Sequence, residues 1–235
     1  MQTMKQWFSR GFVLPAAAVC ALLVPCTTVQ AALVNYSFTG TVGDVSKALK
    51  STMPSGSSMW GTFSFDNETP STPPGSGRYM GAIQSFSLNF GSYSVSLDPT
   101  GDTNAIRIVD SSSGDLWRLK TSVTGNSIES VEGINTRHYV PAEFRMDLED
   151  EDGEAITGTS PLQNPPSLGD LSSNRWRLVF EDENSGRTVR VQGLFNSVSL
   201  TAVPLPAAVL LFGAGLISLV GLGAGGLRNL RGAKA

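Results

Sequence analysis

Residues 86–97 read FSLNFGSYSVSL. Phe86, Leu88 and Phe90 alternate with polar neighbours, Gly91-Ser92 interrupts, and Tyr93, Val95 and Leu97 resume the alternation. A period of two places successive side chains on opposite faces of an extended strand, so one face is apolar and the other wet. Two intervening residues led by glycine fit a tight hairpin turn, because glycine accepts the positive φ such turns require. This stretch therefore predicts two paired antiparallel strands, and with them a β-rich fold.

The same period recurs on both sides. Val34, Tyr36, Phe38 and Val42 alternate with Asn35, Ser37, Thr39 and Thr41. Phe63 with Phe65, Ile106 with Ile108, Leu116 to Leu119, and Phe144 with Met146 and Leu148 read as further strands. Trp176, Leu178 and Phe180 face Val189 and Val191 across a turn at Asn184-Ser185-Gly186, and Phe195, Val198 and Leu200 follow. Only Val45 to Lys50 hints at a helix. Many short, half-polar strands predict an all-β antiparallel sandwich over residues 32–202, with jelly-roll and immunoglobulin-like topologies both open. Residues 66–78 and 158–174, rich in Pro, Gly and Ser, read as surface excursions. Trp60, Trp117 and Trp176 sit in apolar strand patterns and are expected in the core, which leaves Tyr79 as the freer aromatic for stacking on a sugar.

The flanks read as addresses. Lys5 and Arg10 precede an apolar stretch from Gly11 to Val24, and Val29-Gln30-Ala31 puts small residues at a cleavage site. Residues 1–31 thus read as a secretory signal peptide for signal peptidase, too short in its apolar part to span a bilayer. Both cysteines, Cys20 and Cys26, lie inside it, so the exported part has no disulfide or thiolate chemistry. That part, residues 32–202, holds all 20 acids against 12 Lys and Arg, a net charge of −8. Such a balance opposes nucleic acid, whose binding rests on neutralising phosphates, and names no nucleic-acid partner.

At the other end Val203-Pro204-Leu205-Pro206-Ala207 precedes an uncharged run that reaches Leu227. A helix over 208–227 would extend about 30 Å, the thickness of a hydrocarbon core. Arg228, Arg231 and Lys234 form a basic tail over 228–235, which the positive-inside rule keeps in the cytoplasm. Each proline fixes its own φ and biases the residue before it away from helix, so the motif stays extended and open to a peptidase.

Motif, apolar helix and basic tail, in that order, resemble the tripartite sorting signal of the PEP-CTERM family in its VPLPA-CTERM variant. The resemblance covers residues 203–235 and implies processing near the motif by a membrane-integral exosortase-like enzyme. It also implies a Gram-negative host that makes exopolysaccharide, biofilm or floc. The expected course is export through the inner membrane, a transient single-pass anchor, then release to the cell surface or medium.

The inventory of residues prunes chemistry in the exported part. His138 is its one histidine, and no G-x-S-x-G elbow or glycine-rich phosphate loop occurs. A zinc site wants several His or Cys ligands. A non-enzyme without a resident cofactor is therefore expected, acting as a structural component of biofilm or exopolysaccharide. The alternatives are a carbohydrate-binding module that links exopolysaccharide to the cell and, less favoured, a secreted hydrolase using paired carboxylates. One cluster could take calcium: Asp147, Glu149, Asp150 and Asp152, in FRMDLEDEDGEA. Its register does not match an EF-hand, and a solvated acidic hairpin tip competes with the calcium reading.

Overall fold

The computed structural model describes residues 33–132 and 134–201, and the architecture is that of those residues. The expected signal peptide, sorting motif, membrane helix and basic tail lie outside them. No helix among the described residues is long and apolar enough to cross a membrane.

The antiparallel all-β expectation is met, but the strands do not separate into the two sheets of a sandwich. Eight of them form one closed ring. In ring order these are β1 (Leu33–Val45), β2 (Ser58–Asp66), β4 (Ile83–Phe90), β5 (Tyr93–Leu97), β7 (Asp115–Gly125), β9 (Asn135–Asp150), β10 (Ser173–Asp182) and β11 (Thr188–Leu200), which pairs back onto β1. Every pairing is antiparallel and each ring strand neighbours the next in chain order. The result is an up-and-down barrel, without the Greek-key crossings that a jelly-roll or immunoglobulin topology needs. Closure leaves the ring without a free edge, the weak point of an open sheet.

Three strands branch from the ring. β3 (Arg78–Met80) pairs with β6 (Asn104–Val109), and β6 shares one edge of β7 with β5. β8 (Ile128–Glu132) continues the β7 edge along the first residues of β9.

The opening hairpin forms as its spacing predicts. Phe90 pairs with Tyr93, and Gly91 takes φ +58° at the turn. The inward residues of neighbouring strands bring aromatic rings together: Phe86 and Phe144 lie 4.5 Å apart between centroids, and Phe38 stacks against both Phe86 and Phe144 at 6.1 Å. Trp117 and Trp176 are fully buried, and their indole N–H groups donate to the carbonyls of Gln163 and Leu194. Each large side chain so buried contributes about 1.5–3 kcal/mol. Eight-stranded barrels are just wide enough for side chains to fill, and here rings occupy the interior. Two glycines make room for them. A Cβ at Gly61 would overlap the Phe38 ring, and one at Gly193 would press on the Trp176 indole.

Both ends are closed. The β1–β2 connection carries a 3₁₀ turn, Lys47–Leu49, where a helix was hinted, and buries Leu49 and Met53. At the opposite end, residues 151–172 fold over the barrel instead of leaving it. Ile156 and Leu162 are buried, and Thr159 accepts a hydrogen bond from the Tyr79 hydroxyl. The excursion expected at 158–174 is thus a packed lid. Apolar residues spaced within a Pro-rich loop gave it something to bury.

Candidate functional site

With the interior filled, the outward side chains carry the chemistry, and they divide the wall into two unlike faces. On β11, β1, β2, β4, β5 and β7 one row across the strands runs Ser199, Ser37, Thr62, Ser87, Ser96, Thr124, all hydroxyls. The next runs Ser197, Thr39, Trp60, Asn89, Ser94. Neither row holds a charge. Cross-strand hydrogen bonds join Thr39 to Ser197 at 2.7 Å and Thr62 to Ser87 at 3.0 Å.

Trp60 stands in the middle of this face and is 55% exposed. Its expected place in the core is therefore corrected. Phe63 and Phe65 point inward, and Trp60 lies an odd number of residues before them, so the strand pleat turns it outward. Tyr79 is corrected in the other direction: it is 1% exposed, packed at the lidded end, and burial raises its phenol pKa. Among the described residues, the indole available to stack on a sugar is Trp60.

The second face spans β3, β6, β7, β9 and β10. One row runs Arg78, Arg107, Arg118, Asp147, Arg175. The row beside it places Lys120, Arg145 and Arg177 directly opposite one another. Asp147 accepts from both Arg118 and Arg145, the latter at 2.6 Å, and Glu143 pairs with Lys120 at 2.7 Å. No ion pair among the described residues engages Arg78, Arg107, Arg175, Arg177 or Arg190. A cleft of about 480 Å³ opens against Arg78, Arg107, Arg118 and Lys120, with Pro73, Ser76 and Ala105 completing its lining. A second, of about 430 Å³, adjoins it beyond Asp147 and is lined by Arg145, Arg175, Arg177 and Arg190 together with Asp44 and Glu149.

The structure divides the four candidate calcium residues into two pairs: Asp147 and Glu149 line the second arginine cleft, and Asp150 and Asp152 line a separate cleft with Glu154 and Asp170. Asp147 faces the arginines, and Glu149 lies 4.0 Å from Arg118. Asp150 turns to the backbone: it accepts from the N–H groups of Asp152, Glu154 and Ala155 and from the Ser172 hydroxyl. These bonds, the Glu154 amide foremost, hold its carboxyl below the usual carboxylate range. Asp152 is exposed. Among the described residues no three His, Cys, Asp or Glu are grouped so as to hold a metal ion.

The buried carboxylates are likewise committed to local partners. Asp115 accepts from the amides of Ser111 and Ile156, and Asp182 accepts from Ser185 and Arg137. Ser185, then Arg137, depress the Asp182 carboxyl. His138 lies on β9 opposite Glu129 of β8, and its carbonyl accepts from the Glu183 amide.

The arginine face escaped the sequence reading although its elements were visible. Arg118 with Lys120, Arg145 with Asp147, and Arg175 with Arg177 all recur at the outward phase of apolar strands. Their convergence required knowing which strands adjoin.

No family model, no curated protein and no solved structure matches this chain.

Proposed function

We propose that the chain is an exported cell-surface or extracellular-matrix protein with a non-catalytic role in biofilm or exopolysaccharide. Signal peptidase removes residues 1–31, the 208–227 helix holds the protein briefly in the inner membrane, and an exosortase-like enzyme cuts at Val203–Ala207. The observation that carries this reading is the order of motif, uncharged run and basic tail. The last described strand, β11, ends at Leu200, three positions before the motif.

Asp115, Asp147, Asp150 and Asp182 are each engaged by local partners, so these four do not offer the substrate-facing carboxyl pair of a glycosidase. Carbohydrate binding is the second reading, favoured by the exposed Trp60 indole among hydroxyl and amide side chains. Aromatic faces flanked by hydrogen-bonding groups suit the alternating apolar and polar surfaces of a sugar.

Fractionation of the native host tests the sorting step. The wild-type protein should leave the membrane fraction. The Pro204→Ala/Pro206→Ala variant, or the wild type in a strain lacking the exosortase-like enzyme, should remain there. An unchanged distribution in all three would overturn the reading.

A further inference from the structure

We propose that the arginine face binds a linear, carboxylate-bearing polysaccharide. This deepens the matrix reading by naming the ligand class, and it takes from that reading only the choice of a polysaccharide.

The first argument is energetic. Arg78, Arg107 and Arg118 are directly opposite one another on three adjacent strands, as are Lys120, Arg145 and Arg177. Like charges in directly opposed positions destabilise a sheet. The fold has no need of them: inward partners such as Ile106, Leu119 and Phe144 supply the packing. Ion pairs offset that cost at Arg118, Lys120 and Arg145, but among the described residues none does so at the adjoining Arg78 and Arg107, which marks a surface shaped for something other than folding.

The second argument is the shortage of counter-charge at the first cleft, whereas the second also holds Asp44, Asp147 and Glu149. The chain's exported part is acidic, yet no acidic side chain lines the cleft between Arg78 and Lys120. In the adjoining cleft Arg177 keeps a buried Nε without a hydrogen-bond partner. Guanidinium forks match planar carboxylates in two parallel bonds, and seven of the eight cations on the two clefts are arginine. Arg118 lines one cleft and shares Asp147 with Arg145 of the other, so the cations form one track across the wall with Asp147 set within it. Adjacent strands lie about 4.8 Å apart, so such a track meets a polymer that repeats its charge, where a lone anion would engage only part of it.

A polysaccharide fits better than a nucleic acid. Neither cleft offers an exposed aromatic for base stacking, on which single-strand binding relies; the one aromatic there, Trp176, is buried. Beyond the track the domain is acidic and would repel the dense phosphates of a duplex.

The test is titration of the purified full-length chain, in mild detergent, with polygalacturonate, dextran and duplex DNA. Polygalacturonate should bind, dextran should not, and added salt should weaken the complex. Arg78→Gln/Arg107→Gln should lower affinity at least about tenfold while leaving the melting temperature equal or higher, because it relieves repulsion. Lys47→Gln/Lys50→Gln, neither of which lines a cleft, should bind as the parent does. Absence of binding, tighter binding to DNA, equal loss in the lysine variant, or a lower melting temperature for the arginine variant would each overturn the proposal. Failure here leaves the sorting step intact, and failure of sorting leaves this binding intact.

Discussion

Trp117, near the start of β7, donates its indole N–H to the carbonyl of Gln163 at 3.0 Å, 46 residues further along the chain. That bond, with Leu162 buried beside it, fastens the 151–172 segment over one end of the barrel. Leu162→Ala should therefore cost about 2–3 kcal/mol, as a core truncation does and a loop substitution does not. Denaturant unfolding measures it. A loss within about 0.5 kcal/mol would mean that the segment is not a structural lid.

Gly193 on β11 passes beside Trp176, and a Cβ there would overlap the Thr41 carbonyl oxygen as well as the indole. Since neither backbone nor a fully buried ring can give way, Gly193→Ala should destabilise by about 2 kcal/mol. Gly56, where a Cβ meets open space, provides a control for overlap, though its φ of +86° makes alanine strained there too. Thermal melts of the two variants should separate clearly, with Gly193→Ala the lower.

The two tryptophans Trp60 and Trp176 should respond in opposite ways. Trp176→Ala removes a fully buried side chain and should cost about 3–5 kcal/mol. Trp60→Ala, on the uncharged outer face, should change stability by no more than about 0.5 kcal/mol. Intrinsic fluorescence gives a second readout: loss of Trp60, the exposed one of the three described tryptophans, should remove long-wavelength emission and shift the remaining spectrum to shorter wavelength.

Acid should unfold the barrel through Asp150 and Asp182. Their folded carboxyls titrate below the ordinary range because of hydrogen bonds to Glu154 and to Ser185. As pH falls, the unfolded chain takes up protons first, so the stabilisation is complete above about pH 4 and is lost on passing through the lower folded values. The melting temperature should fall steeply below about pH 4. Asp182→Asn should lower the melting temperature at neutral pH and flatten that acid limb. An acid limb as steep as the wild type's would contradict the assignment.

How far sequence reaches is clearest at particular residues. The 86–97 hairpin was legible because its information is local: alternation sets the faces and Gly91-Ser92 sets the turn. Trp60 was legible in principle, since parity with Phe63 places it outside, but its apolar character argued for the core. Barrel closure was not legible. It depends on Tyr36 meeting Leu200 and on Trp117 meeting Leu148, pairings between distant segments that alternation does not encode. The arginine face fails for the same reason: each strand shows its own outward cations, and only register brings Arg78, Arg107 and Arg118 into line.

The proposed function requires that the barrel be delivered outside the cell and freed from its anchor at the motif following β11. Intact-mass analysis of the protein recovered from its native host tests this most directly. The account predicts a chain that begins near Leu33 and ends within or just after Val203–Ala207, without the 208–227 segment. A mature protein that retains residues through Ala235, in a host with a working exosortase-like enzyme, would contradict it.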